Sequence, residues 1–108
     1  MRLILFFLFF FLIPIHAFII PNSFKLKMIR KSIDVIDDSI HDLIQARLEC
    51  AKQLKGRKPS IRDPVREVSI IARLRSKGAL DPIMIQNIWK TLFQESYRVQ
   101  KSEEDFEE

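Results

Sequence analysis

Three cations of this 108-residue chain sit where apolar side chains are expected. From Ile33 the residues Ile36, Ile40, Leu43, Arg47, Cys50 and Leu54 step by 3, 4, 3, 4, 3 and 4, the spacing of a helical stripe. Arg47 lies on that stripe, Arg30 precedes Ile33 by three, and Lys58 follows Leu54 by four. A fourth cation, Arg66, stands in the stretch IRDPVRE between Asp63 and Glu67. Further on, Trp89, Phe93, Ser96 and Gln100 are spaced 4, 3 and 4, so an apolar ridge ends in two neutral hydrogen-bonding groups. Unpaired charge on a buried face is costly, so cations gathered there point to an anion held between them. Ser96 and Gln100 can touch such a ligand without adding charge. Two plainer readings compete: long basic stems snorkelling out of a helix interface, and a surface ion pair for Arg66.

Other chemistries find little support. Cys50 is the only cysteine, and the two histidines, His16 and His41, stand apart, so no Cys/His metal cluster and no intrachain disulfide is expected. With two glycines there is no Gly-rich phosphate loop, and no Ser-His-Asp set is recognisable. No metal or cofactor is therefore expected.

The elements that must position these residues are all helical, because strand-like alternation is absent. The stripe predicts one long first helix, from about Phe24 to Lys55 or beyond. Asp63 is suited to cap a second helix, Pro64 to its first position and Glu67 to its first turn. Ile70, Ile71 and Leu74 give this helix its apolar face, and Gly78 fits its end. The third repeats the pattern with Asp81, Pro82, then Ile85, Ile88, Trp89, Leu92 and Phe93. Capping leaves Arg66 unexplained, since a cation in a first turn opposes the macrodipole. An anion at the same helix end would account for it.

The first twenty residues, MRLILFFLFFFLIPIHAFII, carry one charge, Arg2, ahead of an apolar run from Leu3 to Ile15. With small Ala17 after Ile15 and His16, residues 1–17 read as a secretory signal, and the protein as exported, periplasmic or secreted. Residues 3–20 approach the ~20 that a membrane span requires, so an uncleaved anchor is the alternative. Residues 18–100 form one domain, small enough for a thin core that wants a partner. Residues 101–108, KSEEDFEE, are expected to be an acidic, disordered and solvated tail. The formal charge of +4 is a tail of −4 against a body, residues 18–100, with 16 basic and 9 acidic side chains, net +7. That basic body calls for an anionic partner: nucleic acid, a membrane surface or a small polyanion.

Taken in order, these stretches resemble the all-helical chorismate mutase family. IRKSIDVIDDSIHDLIQAR is similar to the family's Arg-x-x-Ile-Asp-x-(Ile/Leu)-Asp pattern with a second Arg seventeen residues after the first. DPVRE resembles its Asp-x-x-Arg-Glu signature, GALDP its turn into the last helix, and ESYRVQ its Ser-x-x-x-Gln ending. Each is weak alone; their order and spacing make them specific together, over about Ile29 to Gln100. The resemblance implies three-helix chains that form an intertwined helical homodimer with the first helices side by side. Each active site would come mainly from one chain, with Arg30 supplied by the partner. Arg30, Arg47 and Arg66 match the arginines that hold the substrate's two carboxylates. Lys58 matches the lysine that reaches the breaking ether bond, and Gln100 the amide beside it. Asp63 and Glu67 match acids that bond the substrate hydroxyl or orient neighbours, and Ser96 completes the ligand-facing pair with Gln100. The chain departs from the pattern in being shorter between Arg47 and Arg66 than the best-known members. Gly56 and Pro59 flank Lys58, so Lys55 is the alternative lysine. The leader is a second departure, since exported members often carry an added helical segment.

The implied activity is the rearrangement of chorismate to prephenate, chemistry that leads to phenylalanine and tyrosine. It is unimolecular and pericyclic, and so needs no nucleophile, metal or redox cofactor. A related lyase of the same fold, releasing pyruvate from isochorismate, is the nearest rival; the acids Asp63 and Glu67 favour the mutase. A non-catalytic helical dimer binding an acidic partner such as nucleic acid is the rival of a different class. It fits less well, because the cations lie on the apolar stripe and few aromatics mark polar faces. The expected partners are thus chorismate and a second copy of the chain, without nucleic acid, and a membrane only if the leader stays uncleaved.

Overall fold

The computed structural model describes residues 19–101. The leader, and the tail beyond Lys101, lie outside the described residues. Three helices make up the fold: α1 (Asn22–Lys52), α2 (Pro64–Ser76) and α3 (Pro82–Lys101). No strand occurs among the described residues, so the all-α expectation holds.

The helix ends follow from the residues that occupy them. Pro21 opens α1 with its carbonyl, which accepts from the Phe24 and Lys25 N–H groups at 3.0 and 3.1 Å. The Asp63 side chain accepts from the Arg66 N–H at 3.0 Å and Pro64 takes the first position of α2, satisfying first-turn donors as a cap must. Gly78, at φ 72°, closes α2 by donating to the Arg75 carbonyl at 3.1 Å. Asp81 caps α3, accepting from the Ile83 N–H at 2.7 Å.

One boundary differs from the expectation. The stripe predicts a first helix reaching Lys55 or beyond, whereas α1 ends at Lys52. The N–H groups of Gln53, Leu54 and Lys55 turn to carbonyls three residues back, at 3.1, 3.0 and 3.3 Å, the tighter pattern of a closing turn. Gly56 then adopts φ 73°, a left-handed conformation that costs glycine nothing. Lys58 is therefore carried by a loop.

Contacts divide the chain between Asp38 and Ser39. In the first part, α1 as far as Asp38 is exposed apart from half-buried Met28, with Ile29, Ile33 and Ile36 uncovered. In the second part, α2 and α3 pack against each other. Arg75 Nη2 donates to Gln86 Oε1 at 2.7 Å where α2 ends and α3 begins, and the Asp63 N–H meets the Tyr97 hydroxyl at 3.5 Å at the opposite end. The two helices are thus antiparallel. Ile70 of α2, Ile85 and Phe93 of α3, and Ala51 of α1 are the buried apolar residues among those described. The heptad stripe itself splits. Leu43 and Cys50 remain exposed, and beyond Asp38 the covered positions of α1 are Ile44, Arg47, Leu48 and Ala51. A strict seven-residue repeat drifts around a straight helix, so one stripe can serve two faces.

Candidate active site

Arg47 is the centre of the arrangement. Its half-buried guanidinium donates from Nη1 to Ser96 Oγ at 2.7 Å and lies 5.6 Å from the centroid of the Phe93 ring. The stripe on α1 and the ridge on α3 meet here, because positions 93 and 96 fall on the same face of a helix. Ser96 Oγ in turn donates to the Leu92 carbonyl at 2.7 Å, which orients it. Burial lowers the proton affinity of Arg47; the Tyr97 oxygen opposes this, and the charge of Arg66 adds to it. Among the described residues no carboxylate pairs with Arg47. A partly buried cation beside a second cation and without an acid is arranged for an anion that arrives from outside.

Gln100 lies one turn beyond Ser96, only 1% exposed. Its Nε2 donates to the Ser96 carbonyl at 3.0 Å, while buried Oε1 has no partner. A buried amide with an unused group is costly unless a ligand or neighbour completes it.

The other wall is built on the start of α2. Glu67 is half-buried and faces Arg62, with Nε to Oε2 at 3.6 Å. The ion pair within IRDPVRE therefore belongs to Arg62, and Arg66 makes none among the described residues. Asp63 is engaged as the cap. Lys58 donates to the Ile61 carbonyl and sits 5.8 Å from the centroid of the Tyr97 ring. Arg30 is exposed on the part of α1 before Asp38. The structure thus brings Arg47 together with Ser96, and places Lys58 and Asp63 beside Tyr97. An open groove of about 400 Å³ between α2 and α3 is lined by Arg62, Glu67, Val68, Ile71, Arg75 and Gln86 among others. It shares only Glu67 with the expected site, and its apolar floor offers an anion little, so the cations around Arg47 are the better guide to chemistry.

A family model, Chorismate mutase type II, matches residues 29–101. The chain belongs to this family. It has no match among the curated proteins or the solved structures. Every residue of the chorismate mutase reading, from Arg30 to Gln100, lies inside the matched span, and the leader lies outside it. Within that span Arg47 is the cation that lies on an apolar stripe and meets a neutral hydroxyl and a ring. Sequence reasoning missed Tyr97, the only tyrosine of the chain. Its position four residues after Phe93 and one after Ser96 was the available signal, since that places it at the edge of the ligand-facing ridge.

Proposed function

We propose that the protein is a chorismate mutase, an isomerase that rearranges chorismate to prephenate, and that it works as a homodimer without a cofactor. The observation that carries this reading is the Arg47 guanidinium, half-buried beside Ser96 and Phe93 and lacking an acid among the described residues. Chorismate is a compact dicarboxylate with an enol-ether bridge. Arg47 and Arg66 of one chain, with Arg30 of the partner subunit, clamp both carboxylates. Holding the folded conformer in this way removes much of the entropic part of the barrier. As the C–O bond breaks, negative charge gathers on the ether oxygen, where Lys58 and the Gln100 amide stabilise it from fixed positions. Ser96 orients Arg47, and Asp63 and Glu67 form the wall that meets the substrate hydroxyl.

Two features support the dimer. Ile29, Ile33, Ile36, Ile40 and Leu43, spaced 4, 3, 4 and 3, are each about half exposed or more, the seam of a helix pair. The buried apolar core of one chain is also thin, which association would offset. We further propose that residues 1–17 direct export and are removed, with an anchor at residues 3–20 as the alternative. The test of function is incubation of the purified protein with chorismate, following the loss of its absorbance and identifying the product. Prephenate is the expected product. Pyruvate released in a parallel incubation with isochorismate would point to the lyase, and both substrates left unchanged would leave only binding.

A further inference from the structure

We propose that Tyr97 is a positioning residue for Lys58: its ring seats the lysine ammonium, and its hydroxyl ties that seat to the start of α2. The inference rests on the catalytic role given to Lys58 above. Its physical basis is the early end of α1 at Lys52. A lysine on a continuous helix has its backbone fixed by the helix. Lys58 instead follows Gly56, in its left-handed conformation, in the loop between α1 and α2. A four-carbon stem on a loop has many rotamers, and a donor that stabilises a transition state must be held before the reaction begins.

Tyr97 supplies what the helix does not. The Lys58 Nζ lies 5.8 Å from its ring centroid, within the range over which a ring face attracts an ammonium. The Asp63 N–H donates to the Tyr97 oxygen at 3.5 Å. Burial, and the negative charge of Glu67, favour its protonated form, against the Asp63 N–H. One side chain on α3 thereby joins the loop cation and the cap of α2. The Lys58 bond to the Ile61 carbonyl gives the ammonium a second contact, within the loop.

The experiment compares Tyr97→Phe, Tyr97→Leu, Lys58→Ala and the double variant Tyr97→Leu/Lys58→Ala. Chorismate turnover is measured in all four. NMR of the protein with ¹³C-dimethylated lysines provides a readout independent of turnover. The Lys58 methyl signal, assigned by its absence in Lys58→Ala, should be ring-current shifted in the parent and in Tyr97→Phe, and unshifted in Tyr97→Leu. Tyr97→Leu should lose about tenfold or more in kcat with a smaller change in KM, the split expected of a lost transition-state interaction. Tyr97→Phe, which keeps the ring and loses the hydroxyl tie, should fall between Tyr97→Leu and the parent, and the double variant should be no slower than Lys58→Ala. An unshifted Lys58 signal in the parent overturns the positioning role. So do independent, multiplying losses in the double variant, or a Tyr97→Phe as slow as Tyr97→Leu. A shifted signal with turnover insensitive to Lys58→Ala leaves the seat in place and removes the catalytic role of the lysine instead. Melting curves exclude unfolding, and the phenylalanine variant keeps the test open if the leucine variant unfolds.

Discussion

Lys55 and Lys58 are the two residues between which the sequence could not decide, and the role proposed above goes to Lys58. Lys58 has the Tyr97 ring beside it and a bond to the Ile61 carbonyl, which hold its ammonium near the acid wall. An ammonium at the ether oxygen meets charge developed mainly in the transition state, so its removal should lower kcat more than it raises KM. Lys58→Ala should lose ~10²–10³-fold in kcat, the usual effect of one preorganised donor. Lys55→Ala should stay within about tenfold of the parent in steady-state kinetics. A dead Lys55→Ala beside a normal Lys58→Ala would transfer the role to Lys55. Tyr97 gives a pH prediction. Burial, aided by the Glu67 carboxylate and opposed by the Asp63 N–H, raises its phenol above the ordinary 10.0. The fold thus favours the neutral phenol, a contribution present below the unfolded pKa and lost as pH rises through the higher folded value. In urea unfolding between about pH 8 and about pH 11, the parent should lose more stability than Tyr97→Phe. Parallel losses in both would remove this claim. Arg47 was legible because a cation breaks an apolar stripe. Tyr97 was not, because a tyrosine at the edge of an aromatic ridge looks like ordinary packing.

The helices themselves were legible where a residue acts on its immediate neighbours. Asp63 with Pro64, and Asp81 with Pro82, set the starts of α2 and α3, since a carboxylate can satisfy a first-turn N–H and proline has none to satisfy. The end of α1 was not legible from the stripe, because Leu54 continues the apolar spacing after the backbone has begun to turn. Gly56 carried the signal, and its left-handed φ decides the boundary. The cap also lets structure be separated from chemistry at Asp63. Asp63→Asn retains the accepting oxygen, whereas Asp63→Ala loses it and should cost about 0.5–2 kcal/mol, as caps do. Asp63→Asn should remain within a few tenths of a kcal/mol of the parent in chemical denaturation. If the asparagine variant is as destabilised as the alanine, the charge rather than the cap holds the start of α2. If it is stable but binds chorismate poorly, the carboxylate faces the substrate as well.

At the scale of the whole molecule, the stripe on α1 is largely uncovered among the described residues. Leu43 is 71% exposed and Ile29 58%, while the buried apolar residues described in one chain are Ala51, Ile70, Ile85 and Phe93. Exposed apolar rows of this length mark an interaction surface, and a repeat of 4 and 3 is self-complementary when two copies pair. Light scattering should therefore give a dimer at micromolar concentration. An active monomer would remove both the dimer and the assignment of Arg30 to a shared site. Export is independent of assembly: N-terminal sequencing of mature protein should begin at Phe18, whereas Met1 or Arg2 in a membrane fraction would favour the anchor. The site's sharing has its own test, because Arg30 and Arg47 lie on one helix yet are assigned to different pockets. In a dimer of Arg30→Ala with Arg47→Ala, one pocket lacks both arginines and the other has both. Each variant alone should be nearly inactive, since one carboxylate of the substrate is left unclamped. Mixing the two and allowing subunit exchange should restore activity, up to about half the parent's specific activity in each mixed dimer, because one of its two pockets is intact. Exchange must be shown separately, for example by mass spectrometry of isotopically labelled chains. If mixed dimers form and activity does not return, Arg30 serves its own chain or none, and the cations of each pocket come from a single copy.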